Sequence, residues 1–197
     1  MKATILCCAV ALAAGLPVAG AQRSGPLAAV DWGSASDGLR MAISSVTATT
    51  ERPEEQGFYV AIENVGDRDV VVNLGSMIAN GKVMFPKAVR LLLTDSQGTA
   101  RELQYFDRRY PGVAGRVDDF IVALRAGSVY AIRVSLDHYW SSATKEFGVK
   151  LWQGRYQIEA RFDGQGAQSV NLDTPGVGLF NFWKGTLRSN SLAFAIP

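Results

Sequence analysis

From Leu39 onward, apolar and polar residues alternate with the period of two that turns one face of a strand toward a core. The clearest run is 156–162, where Tyr156, Ile158, Ala160 and Phe162 point one way and Gln157, Glu159 and Arg161 the other. A helix would scatter these residues around its circumference. The run 129–136 repeats the pattern with Tyr130, Ile132, Val134 and Leu136 inward, and Phe58, Val60 and Ile62 form another such face. The runs 70–74, 89–93, 120–124, 183–187 and 192–196 are further candidate strands.

Turn chemistry separates the runs. Asn80-Gly81 reads as a two-residue hairpin loop, because both residues tolerate positive φ. Residues 95–98 (DSQG) read as a four-residue turn closing a hairpin into 100–105, and 125–128 (RAGS) joins two strands in the same way. Asp163-Gly164 and Gly166 are expected to end the 156–162 strand. Residues 139–147 read as a loop or a short helix capped by Ser141 or Ser142.

Many short strands with no interleaved helices predict an all-β domain over 39–197, a two-sheet β-sandwich of about eight or nine strands. A barrel is the alternative. Residues 22–38 are polar and rich in small residues, and are expected to form a loosely held N-terminal segment.

Ahead of that segment lies a leader. Lys2 is a minimal basic n-region, 5–16 an apolar core broken by Pro17, and Ala19-Gly20-Ala21 a small-x-small cleavage site. A cleaved signal peptide over 1–21 is expected, with the mature protein starting at Gln22, exported to the periplasm or the medium. An uncleaved anchor is the rival, disfavoured by the Ala/Gly-rich composition and the absence of a charged stop-transfer flank. A lipoprotein is rejected: Leu6 and Cys7 precede the two cysteines, and too few residues lie upstream.

Composition then excludes chemistry. Cys7 and Cys8 are the only cysteines, so the mature chain has neither a disulfide framework nor a thiol nucleophile. The net charge of +2, one unit of it from Lys2, offers no footprint for nucleic acid and no polybasic run for a membrane. The single histidine, His138, is expected at the rim of the core. If the strand before it continues, Asp137 points to the opposite face and cannot orient the ring. No G-x-S-x-G elbow supplies a nucleophile. One histidine cannot build a zinc site. The window 107–118 has acids at both ends, but Arg109 and Pro111 occupy positions where calcium ligands belong. Asp118 and Asp119 are read as a solvated edge. Gly176-Val177-Gly178 lacks the setting of a phosphate loop. No cofactor and no metal is expected.

The aromatics remain. Tyr105 to Pro111 forms an aromatic and basic loop, and Tyr139-Trp140 and 180–183 are similar clusters. Exposed Trp and Tyr bind sugar rings or peptides, and interfaces favour Tyr with Arg. The candidate binding residues are therefore Arg108, Arg109, Tyr110 and Trp140. The competing reading is that these rings simply fill the core.

Three stretches resemble known sandwiches. Residues 58–66 (FYVAIENVG) resemble the second strand of immunoglobulin-like and fibronectin-III-like bacterial domains, which ends in Asn-x-Gly as the chain turns. Residues 153–162 (QGRYQIEARF) are similar to a late G-x-Y-x-i-x-a strand of such domains. Residues 182–194 (FWKGTLRSNSLAF) resemble the closing hairpin of uncharacterised secreted bacterial proteins. The resemblance implies an immunoglobulin-like sandwich. Related sandwiches include protease-inhibitor-like domains, adhesion modules and domains appended to enzymes. The expected function is a non-enzymatic exported module, of protease-inhibitor-like or adhesion type, that binds an extracytoplasmic protein or glycan. The alternatives are a polysaccharide-active enzyme built on carboxylates such as Glu102, Asp107, Asp119 and Glu159, or a purely structural envelope protein.

Overall fold

Alternation becomes pleated sheet wherever the apolar row is long enough to bury one face. The computed structural model describes residues 30–46, 56–79, 81–106, 116–144, 146–147, 149–165 and 182–197. It is all-β in three antiparallel sheets, with a single 3-10 turn at Leu136–His138 among the described residues.

The first sheet has the order β1 (Leu39–Ser45), β2 (Gly57–Asn64), β8 (Val129–Ser135). The second has β4 (Val83–Phe85), β3 (Val70–Ile78), β7 (Val117–Leu124). The large sheet runs β10 (Glu146–Phe147), β9 (Tyr139–Ser141), β6 (Ala100–Tyr105), β5 (Val89–Asp95), β11 (Gly154–Gln165), β12 (Lys184–Arg188). β13 (Leu192–Ile196) also pairs with β11. One continuous core joins the sheets, with Phe58, Val72, Leu91, Tyr139, Ile158 and Phe162 among its members. Ring contacts cross between sheets, as between Phe58 and Phe194 (5.3 Å) and between Phe120 and Tyr130 (6.4 Å).

The turn of 95–98 forms as expected. Gly98 N–H donates to Asp95 O (3.0 Å), Gly98 takes φ +82°, and the Asp95 carboxylate accepts from the amides of Gln97 and Thr99. The Arg125–Ser128 turn also forms, but the strands it joins lie in different sheets: β7 pairs with β3 and β8 with β2. The β2–β3 connection crosses between the same two sheets. Buried Asn64 ties both crossings together. Its Nδ2 donates to Arg68 O (2.8 Å) and Leu124 O (3.0 Å), and its Oδ1 accepts from Gly66 N–H (3.0 Å).

Several expectations fall to longer-range pairing. β11 runs straight through Asp163 and Gly164 to Gln165, because β12 supplies partners for both. Residues 139–147 hold two short antiparallel strands, β9 and β10, rather than a helix. In the β3–β4 hairpin the last pair is Ile78↔Val83, so the connection is 79–82 rather than two residues; Asn80 lies outside the described residues.

The closing segment is not a hairpin. β12 and β13 both run antiparallel to β11, along the same edge, as one strand interrupted by a bulge at 189–191. Ser189 fills the interruption: its N–H donates to Ala160 O (2.9 Å), and its Oγ accepts from Ala160 N–H (2.8 Å). Asn190 reaches across to β1, where its side-chain amide acts as a substitute peptide. Ile43 N–H donates to Asn190 Oδ1 (2.8 Å), and Asn190 Nδ2 donates to Ile43 O (3.2 Å).

The described end of the N-terminal segment is tied to this body. Asp37 and Gly38 take positive φ in a two-residue turn between Ser36 and Leu39. Gly33 N–H donates to Met41 O (2.9 Å), and a Cβ at Gly33 would collide with the backbone of Arg188.

Candidate functional site

The outer face of the large sheet is built by cross-strand register. In an antiparallel ladder, directly paired residues share a face. Arg161 on β11 pairs with Arg90 on β5 on one side and with Arg188 on β12 on the other. Three arginines therefore stand side by side across three adjacent strands. Gln104 on β6 continues the row one ladder step beyond Leu91↔Leu103, and Trp140 on β9 pairs with Gln104. The row Trp140, Gln104, Arg90, Arg161, Arg188 crosses five strands, about 19 Å at the usual strand spacing. A parallel row beside it holds Glu102, Leu92 and Glu159, with Leu92 paired to both acids. A shallow depression of about 110 Å³ lies between the rows, lined by Arg90, Leu92, Glu102, Glu159, Arg161 and Arg188.

The charges are unevenly matched. Arg90 Nη1 bonds Glu102 Oε1 at 2.8 Å, and Arg161 Nε bonds Asp163 Oδ1 at 3.0 Å. Thr186 Oγ1 donates to the same Asp163 oxygen (2.9 Å). Arg188 is exposed, and neither it nor Glu159 has an ion-pair partner among the described residues. Arg90 and Glu102 are roughly 40% exposed, so this pair contributes at most about 1 kcal/mol.

Of the four sequence-chosen residues, the structure places only Trp140. It is half-buried and lies in the row just described. Arg108, Arg109 and Tyr110 lie outside the described residues, as do Asp107 and Gly176 to Gly178. The remaining tryptophans divide. Trp183 is core, stacked on Phe162 (5.8 Å) over the paired Gly164 and Gly185, with its Nε1–H donating to Asp37 O (3.1 Å). Trp32 lies over the Arg40 guanidinium (4.8 Å), which also bonds Glu63 (2.7 Å). Trp152 is 76% exposed, and the Tyr156 hydroxyl fixes its backbone at both N–H and C=O (3.0 Å each).

His138 is half-buried, as a residue at the rim of the core should be, but Asp137 does not face away from it. The strand does not continue through it; the 3-10 turn swings Asp137 round, so that His138 Nε2 lies 3.6 Å from Asp137 Oδ2. The ring stands edge-on to Tyr105 (6.0 Å). Asp119 is not a solvated edge. It is buried, and its Oδ2 has no hydrogen-bond partner. Among the described residues, no group of three or more His, Cys, Asp or Glu side chains could hold a metal.

The arginine row escapes a sequence reading because positions 90, 161 and 188 are brought together only by register. The signal present in sequence was the outward alternation of Arg161, Glu159 and Gln157 on the best-patterned strand.

No family model matches the chain, and no curated protein matches it. Among solved structures it is similar to the Bacteroides uniformis β-glucuronidase, with 12% identity and a TM-score of 0.32. The match covers 82% of this chain and 13% of that enzyme. A likeness at that score carries no statement about this chain's fold family or chemistry.

Proposed function

We infer that the protein is an exported, non-enzymatic β-sandwich of immunoglobulin-like type that binds an extracytoplasmic protein or glycan on the outer face of its large sheet. The observation that carries the reading is the row Trp140, Gln104, Arg90, Arg161, Arg188, which ends in an arginine with no counter-ion among the described residues. Like charges directly opposite across strands destabilise a sheet. Arg90 and Arg161 meet carboxylates of their own, so the charge left for a bound partner to meet is that of Arg188. The rest of the face holds planar donors and one aromatic ring, residue types that interfaces favour.

The test is a binding survey with the processed protein against immobilised glycans and secreted proteins, alongside Trp140→Ala and Arg188→Ala. The expected outcome is a ligand whose affinity falls at least fivefold in both variants, while their denaturation midpoints stay near wild type. A ligand unaffected by both variants would move the site elsewhere, with the exposed Trp152 next to be tested.

A second reading has one observation of its own. Glu102 and Glu159 flank Leu92 from adjacent strands, which sets their backbones about 10 Å apart. Glutamate side chains leaving one face at that backbone separation can bring their carboxyl groups within the about 5–10 Å over which a carboxylate pair acts on a glycosidic bond. Hydrolysis of a polysaccharide that is abolished by Glu159→Gln, with binding retained, would establish this reading in place of the first.

A further inference from the structure

We propose that the occupant of the outer face is a linear polysaccharide bearing repeated carboxylate or sulfate groups. The proposal rests on the binding reading above and names the ligand chemistry of that same face.

The arginine line sets the charge geometry of the face, and Arg188 is its member without a carboxylate among the described residues. Arg90, Arg161 and Arg188 recur at the strand spacing, about 4.8 Å, along one line. Each guanidinium carries five donors, and the existing ion pairs use Nη1 of Arg90 and Nε of Arg161, so donors remain on all three. Such a line does not enclose a single small ion, and on an open face one arginine holds a lone anion weakly because solvent screens it. An extended ligand that repeats its charge can meet all three arginines at once and gains from multivalency.

The neighbouring row selects a glycan among polyanions. Glu102 and Glu159 line the arginines on one side, and Glu159 has no ion pair among the described residues. A ligand charged along its whole width would meet these carboxylates and be repelled. An acidic sugar chain carries hydroxyl donors beside its anionic groups, so it can present anions to the arginines and O–H groups to the glutamates. Trp140, half-buried, stands at the far end of the row.

Affinity electrophoresis of the processed protein in gels containing polygalacturonate, heparin or dextran reads the proposal directly. Retardation is expected in at least one of the two acidic polymers and not in dextran. It should weaken severalfold between low and physiological salt. Arg188→Ala should weaken it about fivefold, and Arg188→Glu should abolish it. Arg133→Ala, an exposed arginine on β8 of the first sheet, should leave it unchanged. Equal retardation by dextran, or by wild type and Arg188→Glu, overturns the proposal. Capture of a neutral glycan or an acidic protein through Trp140 also overturns it while leaving the binding face intact. No ligand at all, whether glycan or protein, counts against both.

Discussion

Tyr139 shows how a single side chain can write the pH limit of this fold. It is fully buried, edge-on to Tyr105 at 5.4 Å, with its hydroxyl 3.4 Å from Val89 O. Burial first, and Tyr105 second, push that hydroxyl far above the ordinary tyrosine range. The folded state therefore keeps a proton that the unfolded chain releases from about pH 10. Stability is intact below that pH and falls above it, by about 1.4 kcal/mol per pH unit for one proton. Tyr139→Phe should show an alkaline decline shallower by that one proton; urea midpoints at pH 9, 10 and 11 measure it, and identical slopes would refute the assignment. Asn64 makes a different point. Its sequence signature, Asn-x-Gly at a strand end, was legible, and the Gly66 bond is what that signature encodes. Its two carbonyl partners, Arg68 and Leu124, could not be read, since one of them lies 60 residues away. The placing of Asp137 away from His138 failed for a local reason: the alternation argument assumed an extended chain, and the chain turns there.

At the scale of elements, strands with three or four inward apolar residues were legible, and those without a period were not. β11 and β5 announce themselves by alternation that burial follows residue by residue. β4, β9 and β10 have two or three residues each, too few to express any period. Turn chemistry is equally local, so the Arg125–Ser128 turn looks the same whether its flanking strands pair or part. The bulge at 189–191 misled because Ser189-Asn190-Ser191 has the composition of a loop. Its polar side chains instead replace missing peptide groups on two sheets. Asn190→Ala should remove the substitute peptide from β1 and cost about 1–3 kcal/mol, the penalty for leaving backbone groups unpaired. Amide exchange at Ile43 should accelerate along with the loss in urea midpoint, whereas exchange at Val60 should follow only the global change. Protection of Ile43 unchanged relative to Val60 would mean that water substitutes for Asn190 without cost.

For the whole molecule, the near-zero net charge and the arginine row belong together. The field that a ligand meets is local, made by register on one face, and no global excess of positive charge accompanies it. The export reading makes its own demand at this scale. Cys7 and Cys8 lie within the proposed leader, so the processed chain should begin at Gln22 and contain no thiol. N-terminal sequencing and thiol titration of secreted material check both points, and an intact Met1 would restore the anchor reading.

The substitute peptide at Asn190 has a kinetic consequence. It joins residues 147 apart in sequence, and the Trp183 to Asp37 bond spans 146. The first described strand thus receives its last partners from the end of the chain, and the large sheet cannot be finished before that end arrives. Contacts of this range must overcome loop-closure entropy before they return any energy, which places folding toward the slow, millisecond-to-second end of small domains. Until residues 184–196 arrive, one entire edge of β11 stays open to any other strand that passes. Secretion would then deliver a chain whose vulnerable interval is the time its last strand takes to find β11.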